Sequence, residues 1–226
     1  MNWFLPKLIN PESGEIEPFL SPVSKVVCVG RNYIEHAREL NNPVPVEPLL
    51  FIKPNSTLCS LSQVINIPKG RGECHHELEI AILIGKNLTD VDAEAAEKGI
   101  AGLGLALDLT LRQLQSSLKE KGHPWERAKA FDGACPVSHF VPFKNQDLTN
   151  LDFQMLKNGK VSQKGNSEDM IFPIVQLIAD ISKSFSLLPG DIILTGTPAG
   201  VGPLNPGDQL VFEFMGCQWE NTEVES

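Results

Sequence analysis

The chain reads as an α+β protein, a strand-rich body with a few short helices set between the strands. Three observations point there. Apolar runs of strand length, closed by glycine or proline, recur from residue 23 onward. Asn158-Gly159 separates two such runs, a strong hairpin signal. Two Pro-Gly-Asp turns, at 189–191 and 206–208, each launch another strand. The helical patterns are short and scattered, which favours α+β over a regular alternation of strand and helix.

In chain order, residues 1–22 carry four prolines and little periodicity, an arm or short hairpin ahead of the core. The division expected is an N-terminal arm over 1–20 and one domain over 21–226, with no repeat, low-complexity tract or linker. Residues 23–30 form a strand. Asn32 is placed to cap the next helix, with Glu35 in capping-box position. Residues 41–48 are a proline-rich loop and a candidate lid. Leu49–Pro54 is a short strand closed by proline.

His75–Gly85 is the stretch around which the rest is arranged, and its second half, apolar and ended by a glycine, reads as a strand. Alternation sends Glu77 and Glu79 to one face and Leu78, Ile80, Ile82 and Ile84 to the other. Thr89 and Asp92 offer a capping box before a short helix ending at Lys98. Residues 100–108 form the next strand, ending at Asp108, and 109–121 carry a helical pattern. The hairpin strands near 151–156 and 161–163 follow, then an apolar helix over 170–185 that begins near Pro173, where proline is tolerated. Residues 192–195 form a strand that leads into the glycine-rich loop 196–202.

Composition narrows the function classes. The 226 residues are 42% hydrophobic and 21% charged, an ordinary globular mixture able to bury a core. A net charge of −9 argues against nucleic acid or an anionic membrane surface as partner. A small anionic substrate remains compatible, because a pocket can be basic inside an acidic protein. The five cysteines, an odd number without a C-x-x-C pair, point with the lack of an apolar leader to a reduced, cytoplasmic protein. No apolar run approaches the length of a membrane span.

Several side chains could carry chemistry. Glu77 and Glu79, held side by side, need a proton, an arginine or a divalent metal between them. Asp108 is a candidate third member, and three hard oxygen ligands suit Mg²⁺ or Mn²⁺ better than Zn²⁺. His36 and Glu39 share a helix face, so the carboxylate can orient the imidazole as a general base. Lys129 can neutralise a substrate carboxylate or snorkel to solvent, and Arg112 has a fork matched to carboxylate. The loop Gly196–Gly202 lacks the Lys-Ser/Thr ending of a phosphate-binding loop. It reads as a tight loop that lets a ligand approach the backbone, with Thr197 as a hydroxyl donor, or as a purely structural turn.

Taken together, these segments resemble the fumarylacetoacetate hydrolase superfamily, specifically its short acylpyruvate hydrolase and oxaloacetate decarboxylase members. The matching segments are Ser24–Tyr33, His36-x-x-Glu39, Phe51-Ile-Lys-Pro54, His75–Glu79, Asp108–Arg112 with Gln115, Pro124-Trp125 to Lys129, and Leu194–Pro203. They run in family order over roughly residues 21–214. Gln113 departs from the aspartate common at that place, and has no role assigned.

The resemblance implies a mixed β-sandwich roll, a homodimer, and a Mg²⁺ or Mn²⁺ site at Glu77, Glu79 and Asp108. It further implies a water-activating dyad at His36 and Glu39, and a 2-oxo acid end held by Arg112, Gln115, Lys129 and Thr197. The activity expected first is metal-dependent hydrolysis of a C–C bond in 2,4-dioxo acids such as acetylpyruvate or fumarylpyruvate, giving pyruvate and a carboxylic acid. Lys129 then also steadies the leaving pyruvate enolate. Oxaloacetate decarboxylation and 2-oxo acid isomerisation or tautomerisation are the alternatives at the same site. A non-catalytic 2-oxo acid or metal-binding protein is the alternative of another class.

Overall fold

The structure, a computed structural model, describes residues 4–10, 12–39 and 43–226. The chain adopts the strand-rich α+β roll expected of it. Among the described residues the strands form four sheets, with short helices between them. The largest is an eight-stranded mixed sheet. From one edge its strands run Leu49–Pro54, Lys25–Gly30, Ile192–Leu194, Leu78–Ile84, Ile100–Leu107, Cys135–Val137 and Leu58–Ser60, with Val141–Pro142 pairing onto Ile100–Leu107.

Leu78–Ile84 is buried along its whole length because both faces of the sheet are covered. Leu78, Ile80, Ile82 and Ile84 enter one core, where Phe153, Met155 and Phe212 of a five-stranded antiparallel-rich sheet meet them. Helix Ile174–Ser184, starting just after Pro173, adds Leu177, Ile178 and Ile181 to that core. Each such side chain stabilises the fold by about 1.5–3 kcal/mol when fully buried. Ala81 and Leu83 enter a second core with Val26, Ile192 and Phe140.

The N-terminal segment is a hairpin, Lys7–Ile9 with Ile16–Pro18, laid over the second core. Ile9 donates its N–H to the Phe140 carbonyl at 2.8 Å, and Phe4, Leu8 and Phe19 pack beneath. Asn158 and Gly159 turn the expected hairpin with positive φ at both positions, 53° and 76°, between strands Asp152–Lys157 and Lys160–Asn166.

Four local expectations are corrected. The strand expected to carry both Glu77 and Glu79 starts only at Leu78, and Glu77 lies between it and the strand Cys74–His76, where Leu78 donates its N–H to the Gln163 side chain. The helix expected from residue 109 starts at Arg112, since Thr110 and Leu111 pair with His75 and Cys74. Asn32 does not cap helix Ile34–Glu39; its amide is used on Thr195 and Phe172. Asp92 alone caps Ala93–Lys98, accepting from Ala95 N–H at 2.9 Å, while Thr89 bonds Ser186. The sequence pattern predicts the first helix over 33–40; its residue 40 and the start of the candidate lid, 41–42, lie outside the described residues, as do residues 1–3 and 11 of the arm.

Candidate active site

Strand register brings the three carboxylates together. Leu78 pairs with Leu107 and His75 with Thr110, so the same antiparallel register on either side of the strand break sets Glu77 opposite Asp108. Asp108 also donates its N–H to the Glu77 carbonyl at 2.8 Å. Directly opposed residues project to the same face, and Glu79 follows two positions along on that face. The result is a buried triad whose ligand oxygens lie within 4.8 Å of one another.

Buried carboxylates need counter-charge. Lys129 Nζ lies 2.8 Å from Glu77 Oε2 and 2.5 Å from Asp108 Oδ2. Arg112 pairs with Glu77 through Nη2 and donates from Nη1 to Gln115 Oε1 at 2.7 Å. Burial opposes ionisation of Glu77, but Lys129 and Arg112 overcome it and hold the carboxyl far below its ordinary value. Burial likewise opposes the Lys129 ammonium, yet Asp108 and Glu77 keep it charged well above the usual lysine range. Glu79 is different: burial, then Asp108 and Glu77, push its carboxyl well up. Its one donor in this set is the Gly196 N–H, 2.6 Å from Oε2.

An all-oxygen donor set of this kind fits a hard divalent cation, which would offset the repulsion concentrated on Glu79. The nearby Cys74 thiol is buried and raised to about 11, so it is not poised as a soft ligand.

His36 is buried and turns Nδ1 toward Glu39 Oε2 at 3.2 Å. With Nδ1–H given to that carboxylate, Nε2 is left as the acceptor nitrogen of the ring. Glu39 is fixed in turn by the Gly200 N–H, 3.1 and 3.3 Å from its two oxygens. A Cβ on Gly200 would sit 2.3 Å from the Ser162 carbonyl oxygen, at φ +96°. The glycine-rich loop therefore serves protein carboxylates: Gly196 holds Glu79 and Gly200 holds Glu39.

Eight of the nine sequence-identified residues (His36, Glu77, Glu79, Asp108, Arg112, Gln115, Lys129 and Thr197) line one small polar cavity, with Glu39 behind His36. It adjoins an apolar cavity of about 270 Å³, the two sharing Leu49, Phe51, Trp125 and Lys129. Lys129 does not snorkel to solvent; it is 3% exposed. Thr197 gives its hydroxyl proton to the Leu78 carbonyl at 2.8 Å and accepts from Gln163 Nε2 at 2.8 Å. In this geometry that hydroxyl holds the loop rather than offering a proton to a ligand.

Two residues of the site went unassigned in the sequence. Lys53 is completely buried, its Nζ 2.8 Å from Asp108 Oδ1 and donating to the carbonyls of Ala134 at 2.9 Å, Leu109 at 3.4 Å and Lys129. A lysine within the otherwise apolar Leu49–Pro54 strand was the available signal. Gln163 accepts from Leu78 N–H and His76 Nδ1 and donates to Thr197 and the Pro198 carbonyl. Nothing in its local sequence marks it.

Comparison with known proteins bears on this arrangement. Residues 25–223 match the family model described as fumarylacetoacetate (FAA) hydrolase C-terminal. The chain is 52% identical to the oxaloacetate tautomerase YcgM of Escherichia coli, over 86% of this chain and 90% of that protein. It is 46% identical to a mitochondrial oxaloacetate decarboxylase of Dictyostelium discoideum, over 82% of this chain and 86% of the other. The crystal structure of fumarylpyruvate hydrolase from Pseudomonas aeruginosa, in complex with Mn²⁺ and pyruvate, superposes with a TM-score of 0.88. That match is 31% identical and covers 97% of this chain and 95% of the other.

Proposed function

This chain belongs to the fumarylacetoacetate hydrolase family, and we propose that within it the chain is an oxaloacetate tautomerase. It would move a proton between O2 of the enol and C3 of the keto form. The observation that carries this proposal is the order of the relatives. Identity is 52% to an oxaloacetate tautomerase and 31% to a fumarylpyruvate hydrolase. The acylpyruvate hydrolase expected first from the sequence therefore ranks behind its own alternative.

The site's chemistry supports tautomerisation. Proton transfer to carbon needs a base and an acid placed around one small anion. His36, oriented by Glu39, has one ring nitrogen available to take or give a proton. Lys129 stays cationic beside Glu77 and Asp108 and offers fixed positive charge where the 2-oxo oxygen becomes negative. Arg112 and Gln115, joined to each other, form one wall of the cavity and orient the carboxylate end. Glu77, Glu79 and Asp108 would hold Mg²⁺ or Mn²⁺, which when bound supplies Lewis-acid polarisation of a 2-oxo group. Loss of the C4 carboxylate as CO₂ uses the same electron flow, and the Dictyostelium relative favours it as a second activity. We place the protein in the cytoplasm, where its five free cysteines suit a reducing compartment, and as a homodimer. No helix of the described residues is long and apolar enough to cross a membrane.

A substrate panel with added Mg²⁺ or Mn²⁺ tests this. Ketonisation of enol-oxaloacetate should show a higher kcat/KM than pyruvate release from oxaloacetate or loss of the acetylpyruvate and fumarylpyruvate chromophores. A higher kcat/KM on fumarylpyruvate would return the hydrolase to first place.

A further inference from the structure

We propose that Arg31, with Lys119 beside it, forms a second carboxylate subsite that takes the distal carboxylate of a four-carbon 2-oxo dicarboxylate. This rests on the oxaloacetate reading above and adds the residues that recognise the far end of the substrate.

Arg31 and Lys119 line the same polar cavity as His36 and the carboxylate triad. Lys53, Lys129 and Arg112 around it are engaged by protein carboxylates. Lys53 and Lys129 face Asp108, Lys129 and Arg112 face Glu77, and both terminal nitrogens of Arg112 have partners. Arg31 is partly buried and, among the described residues, forms no ion pair. Its backbone is left-handed, at φ +60°, where glycine would be the unstrained choice. The next residue keeps it there. Asn32 is fully buried and bonds Thr195 O at 2.8 Å, Phe172 O at 3.1 Å and Phe172 N–H at 2.8 Å. Lys119 lies two helical turns beyond Arg112 on the same helix face. Burial lowers its ammonium pKa, and the charges of Arg31 and Arg112 lower it further. Two cations, Arg31 and Lys119, lining one polar cavity favour an anion there.

Oxaloacetate carries carboxylates at C1 and C4. With the C1 and 2-oxo end at the triad, the C4 carboxylate needs its own cation, and a guanidinium can meet it bidentately. Acetylpyruvate ends in a methyl ketone and has no such group to offer. The subsite also bears on which reaction follows. A C4 carboxylate held as an anion resists leaving as neutral CO₂, so Arg31 would favour tautomerisation over decarboxylation.

The test uses full-length, Mg²⁺-loaded protein and the variants Arg31→Gln, Arg31→Lys and Lys119→Met. Oxaloacetate turnover gives KM, and titration with pyruvate gives the affinity for the C1 end alone. Arg31→Gln should raise the oxaloacetate KM on the order of tenfold to a hundredfold, the worth of a charge-assisted hydrogen bond. It should leave the pyruvate affinity unchanged and raise the ratio of decarboxylation to ketonisation. Lys119→Met should shift the same quantities in the same direction by less, and Arg31→Lys should recover part of the loss. Equal weakening of both ligands, or an unchanged oxaloacetate KM, would overturn the subsite while leaving the tautomerase intact. If the wild type turns over no oxaloacetate, the tautomerase falls and binding alone judges the subsite. Tighter Arg31-dependent binding of oxaloacetate than of pyruvate would then uphold it, and equal affinities would overturn it.

Discussion

Lys129 sets its ammonium between Glu77 and Asp108, 2.8 Å from one carboxylate and 2.5 Å from the other. These two carboxylates face each other across paired strands, so a single buried cation joins the two strand ends that build the site. Glu79, the third carboxylate, has no such ion pair among the described residues and carries the upward shift in pKa instead.

That asymmetry separates the three acids by mutation. Glu79→Gln leaves Lys129 and Arg112 still paired, so the protein should fold with an unchanged circular dichroism spectrum. Its affinity for Mn²⁺, read by calorimetry, should fall at least about tenfold with one of three hard ligands neutralised. Glu77→Gln removes the ion-pair partner of Arg112 and one of the two carboxylates of Lys129, and should lower the unfolding midpoint as well.

Lys53 predicts a stability effect. Lys53→Met removes the cation beside Asp108 and leaves the carbonyls of Ala134, Leu109 and Lys129 without that donor. Breaking one partner of a buried pair costs about 3–5 kcal/mol. Urea unfolding should show a loss of that size, and a change within 1 kcal/mol, roughly the scale of a surface pair, would refute the role given to Lys53.

Gly200 predicts a kinetic effect without loss of metal. Gly200→Ala forces its Cβ onto the Ser162 carbonyl and shifts the N–H that fixes Glu39. kcat should drop on the order of tenfold, less than the roughly 10²–10⁴-fold cost of losing the general base outright. Mn²⁺ affinity should hold, because Gly200 touches no carboxylate of the triad.

Thiol reactivity checks the packing around the site. Cys217 is exposed and should react with a thiol reagent in the native protein. Burial raises the Cys59 thiol to about 11, and Cys28 and Cys135 are fully buried beside the Lys53 and Asp108 pair. These should react only slowly or after unfolding.

Much of this site was legible in the sequence because strand alternation is a strict rule. Two glutamates at i and i+2 must share a face, and Asp108 closes the apolar run that pairs with theirs. His36 and Glu39 were readable from helix spacing for the same reason. What escaped depends on long-range register. Gln163 acts through hydrogen bonds to residues 87 and 85 positions earlier, His76 and Leu78, and 34 positions later, Thr197. The break at Glu77 is invisible locally, since it arises from Gln163 replacing a strand partner of Leu78. Asn32 looked like a helix cap because its type and position fit one, but tertiary partners took its amide. Thr197 looked like a substrate donor until Leu78 and Gln163 claimed its hydroxyl.

The most direct measurement is stopped-flow absorbance of enol-oxaloacetate ketonisation by metal-loaded wild type and His36→Ala. The tautomerase account predicts rapid loss of the enol band with wild type, slowed by about 10²–10⁴-fold in the variant, the usual contribution of a positioned general acid–base group. An enol band that decays no faster with wild type than with buffer and metal alone would contradict it.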